Sequence, residues 1–237
     1  MRPWDDILTE TDREVIRRAG YGKQRGLGTR PCLVLIDCQY NHIGEDKPIL
    51  EQLATYPSGG GAAAWEAARR VMPVVQRARA IPIPVIYTRF CYSKEAARYD
   101  GFALKRGNVD RYVDGAPGTR ILKELEPQLG DLIIDKTVAS AMFGTPLIRY
   151  LIRMGVDTLL IAGVSTGGCV RATAIDAVTY NFNVAVLEDC TADRIEASHK
   201  VALLDLWMKY TDVIPSQEAL AYLDTIRPAA VAGAAAS

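Results

Sequence analysis

The sequence predicts an α/β fold in which a parallel sheet is covered by helices on both faces. Short apolar runs without polar alternation recur along the chain, as at 32–36 and 159–162, and strands that are apolar on both faces belong to buried parallel sheets. Stretches with helical spacing separate them, such as 197–210, and this alternation marks a layered α/β domain. A chain of 237 residues is long enough for one such domain with a full core.

Residues 9–19 begin acidic and end basic before Gly20, which predicts a helix aligned with its own dipole and closed by a glycine. With few apolar positions, residues 1–28 read as an N-terminal arm packed on the main domain or on a neighbouring subunit. Strands are expected at 32–36, ending at Asp37, at 84–87, ending in Thr88 and Arg89, and at 132–134, followed by Asp135 and Lys136. Later strands fall at 159–162, 184–187 and 213–214. Helices are expected at 65–80 (holding Pro73), 146–154, from Cys169 onward, at 197–210 and at 217–226. The main domain spans 29–228. Residues 57–64, Pro-Ser-Gly-Gly-Gly-Ala-Ala-Ala, read as a flexible link, and 229–237 as a disordered tail. Residues 90–118 lack a clear period, carry several Tyr and Arg, and are long for a connection, which reads as a lid.

Lys plus Arg and Asp plus Glu both total 28, so no net field draws this chain to nucleic acid or membrane surfaces. Its five cysteines are an odd number without C-x-x-C spacing, which argues against a disulfide framework and for a reducing, cytoplasmic compartment. No apolar run approaches the roughly 20 residues that span a bilayer. Nucleic acid and membrane are therefore not expected partners.

Candidate chemistry gathers at strand ends. In open α/β sheets, sites form beyond the carboxyl ends of the strands where strand order reverses. Asp37, Lys136 and the turn Gly163–Cys169 all stand at such ends. Cys169 lies at a helix mouth beside glycine-flanked amides, a setting expected to lower a thiol pKa and to stabilise anionic oxygen. A carboxylate can take the thiol proton, and an ammonium can hold both anions. Cys32, Cys38, Cys91 and Cys190 read instead as packing residues in or beside strands. His42 and His199 read as surface or hydrogen-bonded residues, Trp65 and Trp207 as packing residues, and Arg89 as a weaker site candidate.

Leu-Ile-Asp37, Asp-Lys136 followed by Ala141–Thr145, Gly163-Val-Ser-Thr-Gly-Gly-Cys169-Val-Arg-Ala-Thr-Ala and Asp189–Arg194 resemble the isochorismatase-like cysteine hydrolases. Within them, Ser-Thr-Gly-Gly-Cys-Val-Arg-Ala, Ala192–Arg194 and Lys209–Val213 resemble the N-carbamoylsarcosine amidase and maleamate amidase branch. The resemblance covers roughly residues 20–226. It implies a three-layer α/β/α sandwich with six parallel strands in the order 3-2-1-4-5-6, a Cys169, Asp37 and Lys136 triad, and a homotetramer. It further implies a cis Val164–Ser165 peptide, an oxyanion hole from the Ser165 and Cys169 amides, and a substrate carboxylate held by Arg194, with Thr166 as a neighbouring hydrogen-bonding group. Arg194 has a structural alternative, an ion pair with Asp189 or Asp193.

The Asp-x-His metal pattern of nicotinamidases has no match, so neither metal nor cofactor is expected. The reading is an amidohydrolase releasing ammonia from a small carbamoyl or primary amide substrate through a thioester. N-carbamoylsarcosine or a related N-carbamoyl amino acid is the first choice and a maleamate-type amide the second. Isochorismatase-type hydrolysis and a non-catalytic small-molecule binder stand as alternatives.

Overall fold

A computed structural model describes residues 2–101, 105, 107 and 109–227. The tail at 229–237 lies outside them. In chain order the elements are α1 (Glu10–Ala19), β1 (Pro31–Ile36), the single-turn α2 (Tyr40–Ile43), α3 (Gly61–Ala80), β2 (Val85–Phe90), β3 (Leu132–Lys136) and α4 (Leu147–Arg153). There follow β4 (Thr158–Val164), a tight turn Thr166–Val170, α5 (Arg171–Thr179), β5 (Asn183–Ala192), α6 (Glu196–Lys209), β6 (Asp212–Ile214) and α7 (Ser216–Thr225).

All six strands pair in parallel in the order β3-β2-β1-β4-β5-β6, giving the expected architecture. Alternate residues of β1 feed two cores. Cys32, Val34 and Ile36 join a cluster with Leu147 and Leu151 of α4, Ala174 of α5 and Leu203 of α6. Leu33 and Leu35 join one with Val71, Val74 and Ala78 of α3 and Leu223 of α7. Burial on both faces is why these strands are continuously apolar.

Sheet order reverses between β1, whose other neighbour is β2, and β4, whose other neighbour is β5. The last β1–β4 pair is Ile36 with Gly163, so Asp37 and the turn after β4 leave the sheet side by side. Contact is close there. Gly163 has φ +110°, and a Cβ on it would lie 2.2 Å from the Ile36 carbonyl oxygen; only glycine fits.

Two element expectations need correction. Residues 57–64 are not a flexible link, because Gly61–Ala64 form the first turn of α3 and Gly59, Gly60 and Gly61 are buried. The Gly60 amide donates to the His42 carbonyl at 2.9 Å, and three successive alanines favour helix over coil. β5 also runs well past 187, to Ala192, because a register shift between Ile161 and Gly163 re-pairs β4 with Thr191 and Ala192.

The arm lies along α6 and β6. Trp4 is buried, its ring centroid 5.4 Å from that of Trp207, while Arg2 donates to the Val213 carbonyl at 2.8 Å and Lys200 to Asp6 at 2.6 Å. α1 has a Thr9–Asp12 capping box and ends at Gly20, but buries no residue. No described helix is long and apolar enough to cross a membrane.

Candidate active site

Asp37 follows β1 with φ +49°, a left-handed conformation that is uncommon outside glycine and worth a functional explanation. The bend aims both backbone and side chain at Thr88 of β2: the Asp37 amide donates to Thr88 Oγ1 at 3.1 Å, and Thr88 Oγ1 donates to Asp37 Oδ1 at 2.6 Å. The other carboxylate oxygen, Oδ2, accepts from Lys136 Nζ at 2.7 Å. Lys136, the last residue of β3, also donates to the Val138 carbonyl at 3.1 Å and lies 4.8 Å from the Phe90 ring centroid. Both side chains are fully buried.

Cys169 is buried in the turn after β4, close enough to Asp37 and Lys136 that both act on its thiol. The structure therefore brings the three residues together. Burial alone would raise the Asp37 carboxyl, but the Lys136 ammonium, a smaller influence of His42, and hydrogen bonds from Lys136 and Thr88 bring it below the usual carboxylate value. Burial likewise opposes the Lys136 charge, and Asp37 and Cys169 overcome it, raising that ammonium. The resting pair is carboxylate and ammonium.

The thiol departs from expectation. Burial, reinforced by the Asp37 charge and only partly offset by Lys136, pushes Cys169 up to about 12. A helix mouth does not outweigh desolvation here. The site rests as a protonated thiol beside an ionised carboxylate, so the thiolate must form during reaction. Nor does a regular helix begin at Cys169: Gly168, at φ −110° and ψ −105°, breaks the helical path, and α5 starts at Arg171.

The turn has its own frame. The Val164–Ser165 peptide is cis, and the Gly168 and Val170 amides both donate to the Ser165 carbonyl, at 3.0 and 3.2 Å. Thr166 is fully buried, and its hydroxyl lies 2.8 Å from His199 Nδ1. Asp193 accepts from the Gly167 amide at 2.8 Å.

Arg194 follows β5, and its Nε and a terminal nitrogen donate to the Ser58 carbonyl at 3.1 and 2.8 Å. Its pairing with Asp193 is looser, at 3.8 Å. Asp189 instead binds the Ser216 amide and hydroxyl at the start of α7. Arg89 grips Asp135 through two 2.7 Å bonds, which joins β2 to β3. Ligand atoms of Cys91, Asp114 and Asp135 converge within 4.8 Å, but that same guanidinium already supplies positive charge there.

His42 is not a surface residue. It is 2% exposed, with its ring against Phe90 and Tyr112 at centroid distances of 6.1 and 5.4 Å. Thr88 and Gln39 escaped the sequence reading. Gln39 is fully buried; it accepts from the Phe90 amide at 2.7 Å and donates to the Thr119 carbonyl at 2.8 Å, tying β2 to the segment after 116. Of the proposed lid, Tyr92 and Tyr112 are buried, and the Tyr92 amide donates to the Tyr112 carbonyl at 2.8 Å. Residues 102–104, 106 and 108 of that stretch lie outside the described residues.

Comparison with known proteins finds relatives of this chain. The chain matches the family described as the Isochorismatase domain over residues 31–218. It is 32% identical over 204 residues to maleamate amidohydrolase of Pseudomonas putida, covering 86% of this chain and 91% of that protein. To N-carbamoylsarcosine amidase of an Arthrobacter species it is 27% identical over 230 residues, covering 92% and 80%. Its fold superposes on the crystal structure of a cysteine hydrolase from Pseudomonas syringae pv. phaseolicola with a TM-score of 0.77, at 20% identity over 86% of this chain and 97% of that one.

Proposed function

Because the chain belongs to the isochorismatase family, we propose that it is a cysteine-dependent amidohydrolase that releases ammonia from a small carbamoyl or primary amide substrate. The observation that carries this reading is the buried contact of thiol, carboxylate and ammonium at Cys169, Asp37 and Lys136. A binding protein has no need of all three.

In this reading Asp37 accepts the Cys169 proton as Sγ bonds to the substrate carbonyl carbon. The carbonyl electron pair moves to oxygen, which the Ser165 and Cys169 amides receive. As the tetrahedral centre collapses, the C–N bond breaks and Asp37 returns the proton to nitrogen, so ammonia leaves and a thioester remains. Asp37 then takes a proton from water as its oxygen attacks the thioester, the C–S bond breaks, and Asp37 returns that proton to the departing Sγ, which restores the thiol and the carboxylate. Lys136 favours the ionised form of Asp37 before each proton transfer and so readies it as a base.

The substrate carries a carboxylate that displaces the Ser58 carbonyl from Arg194, a guanidinium suited to a bidentate grip. A maleamate-type acid amide is favoured by the 32% identity to an enzyme of that name; N-carbamoylsarcosine is the second candidate. Residues 29–228 form the hydrolase domain, and the chain acts as a cytoplasmic homo-oligomer, a tetramer by its resemblance.

An ammonia-release screen over maleamate, carbamoyl amino acids, nicotinamide and biuret tests the proposal. Release by the wild type and none by Cys169→Ala supports it; full activity in that variant removes it. Arg194→Leu is expected to raise KM about tenfold or more for acidic amides and far less for neutral ones. Equal effects on both would take the carboxylate away from Arg194.

A further inference from the structure

Two adjacent glycines, Gly167 and Gly168, leave the turn that carries the nucleophile with little stiffness beyond its two amide hydrogen bonds to the Ser165 carbonyl. Further tethers come from the segment that joins β5 to α6 and from α6 itself. Asp193 accepts the Gly167 amide at 2.8 Å, and His199 of α6 meets the Thr166 hydroxyl at 2.8 Å. Ser198 lies so close that its Oγ would sit 2.3 Å from a Cβ on Gly167. α6 thus packs directly on the turn, and the Thr166–His199 bond joins a buried side chain of one to the other.

We propose that His199 is a positioning residue, whose ring holds the Thr166 hydroxyl and so fixes the turn that presents the Cys169 thiol and the Ser165 and Cys169 amides. The inference rests on Cys169 being the nucleophile, but not on which substrate it attacks. In a neutral ring Nδ1 accepts a hydrogen bond from the Thr166 hydroxyl when the proton sits on Nε2, and donates one to the hydroxyl oxygen in the other tautomer. Burial favours that neutral form and lowers His199 below its usual value, against the pull of Asp193 and Glu196 and with the help of Lys200. Lys200 is itself paired with Glu196 and with Asp6 of the arm. His199 does not touch the reacting atoms, so its removal acts on the reaction through geometry.

The test uses His199→Leu, His199→Asn, Thr166→Val and the Thr166→Val/His199→Leu double variant. An asparagine carries a polar atom near the place of Nδ1; leucine does not. His199→Leu and Thr166→Val are each expected to lower kcat about tenfold with KM within about twofold, the signature of a misplaced reacting group. The double variant is expected to be no slower than the slower single one, because both remove the same link, and His199→Asn recovers most of the loss. A second readout needs no substrate: the rate at which iodoacetamide alkylates Cys169, followed by mass of the peptide that holds it, changes about fivefold in His199→Leu and Thr166→Val but not in His199→Asn.

Unchanged kcat and alkylation in His199→Leu, or losses that multiply in the double variant, would overturn the proposal. If the wild type releases ammonia from no amide, the functional reading fails, and the alkylation series alone decides the role of His199. Should His199→Leu not fold, Thr166→Val keeps the buried volume and carries the comparison.

Discussion

Lys136 and Asp37 are buried together, and neither charge is tolerable there without the other. Removing one partner of such a pair leaves an uncompensated charge and typically costs about 3–5 kcal/mol. In the wild type the carboxyl lies below its unfolded value, so the pair stabilises the fold above ordinary carboxylate pKa values and loses that contribution only as pH falls through the lowered one. Lys136→Met reverses the sign. Without the ammonium, burial raises Asp37, the folded state binds a proton more readily than the unfolded one, and the deficit shrinks on acidification. Urea unfolding near neutrality and at about pH 5 is expected to show a loss of about 3–5 kcal/mol at the first and a smaller one at the second. A deficit independent of pH would mean that the lysine contributes packing alone.

The same site shows what single residues disclose in a linear sequence. Cys169 stood out because its glycines, its helix mouth and the apolar run before it are neighbours in the chain. Thr88 did not, since its bond to Asp37 crosses between strands more than fifty positions apart, and a threonine at a strand end looks ordinary until the register is known. His42 was left between a surface and a hydrogen-bonded place for a related reason: a single-turn helix has no period to reveal which way it faces.

At the scale of elements, β4 is the part on which the site depends most. It pairs with β1 along its length, and Gly163 is where the two backbones come closest before Asp37 and Ser165 diverge from the sheet. Gly163→Ala must place a methyl 2.2 Å from the Ile36 carbonyl oxygen at a φ of +110°. We expect a loss of about 4 kcal/mol or more, which takes the change into the range reserved for exceptional mechanisms. Thermal unfolding measures it, and a midpoint within a degree or so of wild type would show that the strands can part without cost. Strand and helix identity was legible from apolar runs and helical spacing. Several boundaries were not, among them those of β5 and α3. β5 extends beyond its apolar run because a bulge re-pairs it with β4, and α3 begins among glycines because burial against 42–52 outweighs their flexibility.

Across the whole molecule, the N-terminal segment is part of the folded body. Trp4 belongs to the same core cluster as Leu203 and Leu206 of α6, and the ion pairs from Arg2 to Glu188 and from Lys200 to Asp6 fasten the chain on either side of it. Trp4→Ala is expected to cost about 3–5 kcal/mol, as for other buried aromatic truncations, and to lower one cooperative transition. A separate early transition at unchanged main midpoint would mean that the arm is an independent appendage. Composition left the arm packed either on the main domain or on a neighbouring subunit, and nothing in a lone tryptophan before the first helix announced a core residue.

The central claim is that Cys169 becomes acylated through a proton transfer to Asp37. Its most direct measurement is the mass of the Cys169 peptide after rapid acid quench during turnover of an ammonia-releasing substrate. The account predicts a transient adduct equal to the substrate less ammonia, absent in Cys169→Ala and in Asp37→Ala. Continued ammonia release with Cys169 unmodified at every quench time, and undiminished in Cys169→Ala, would contradict it.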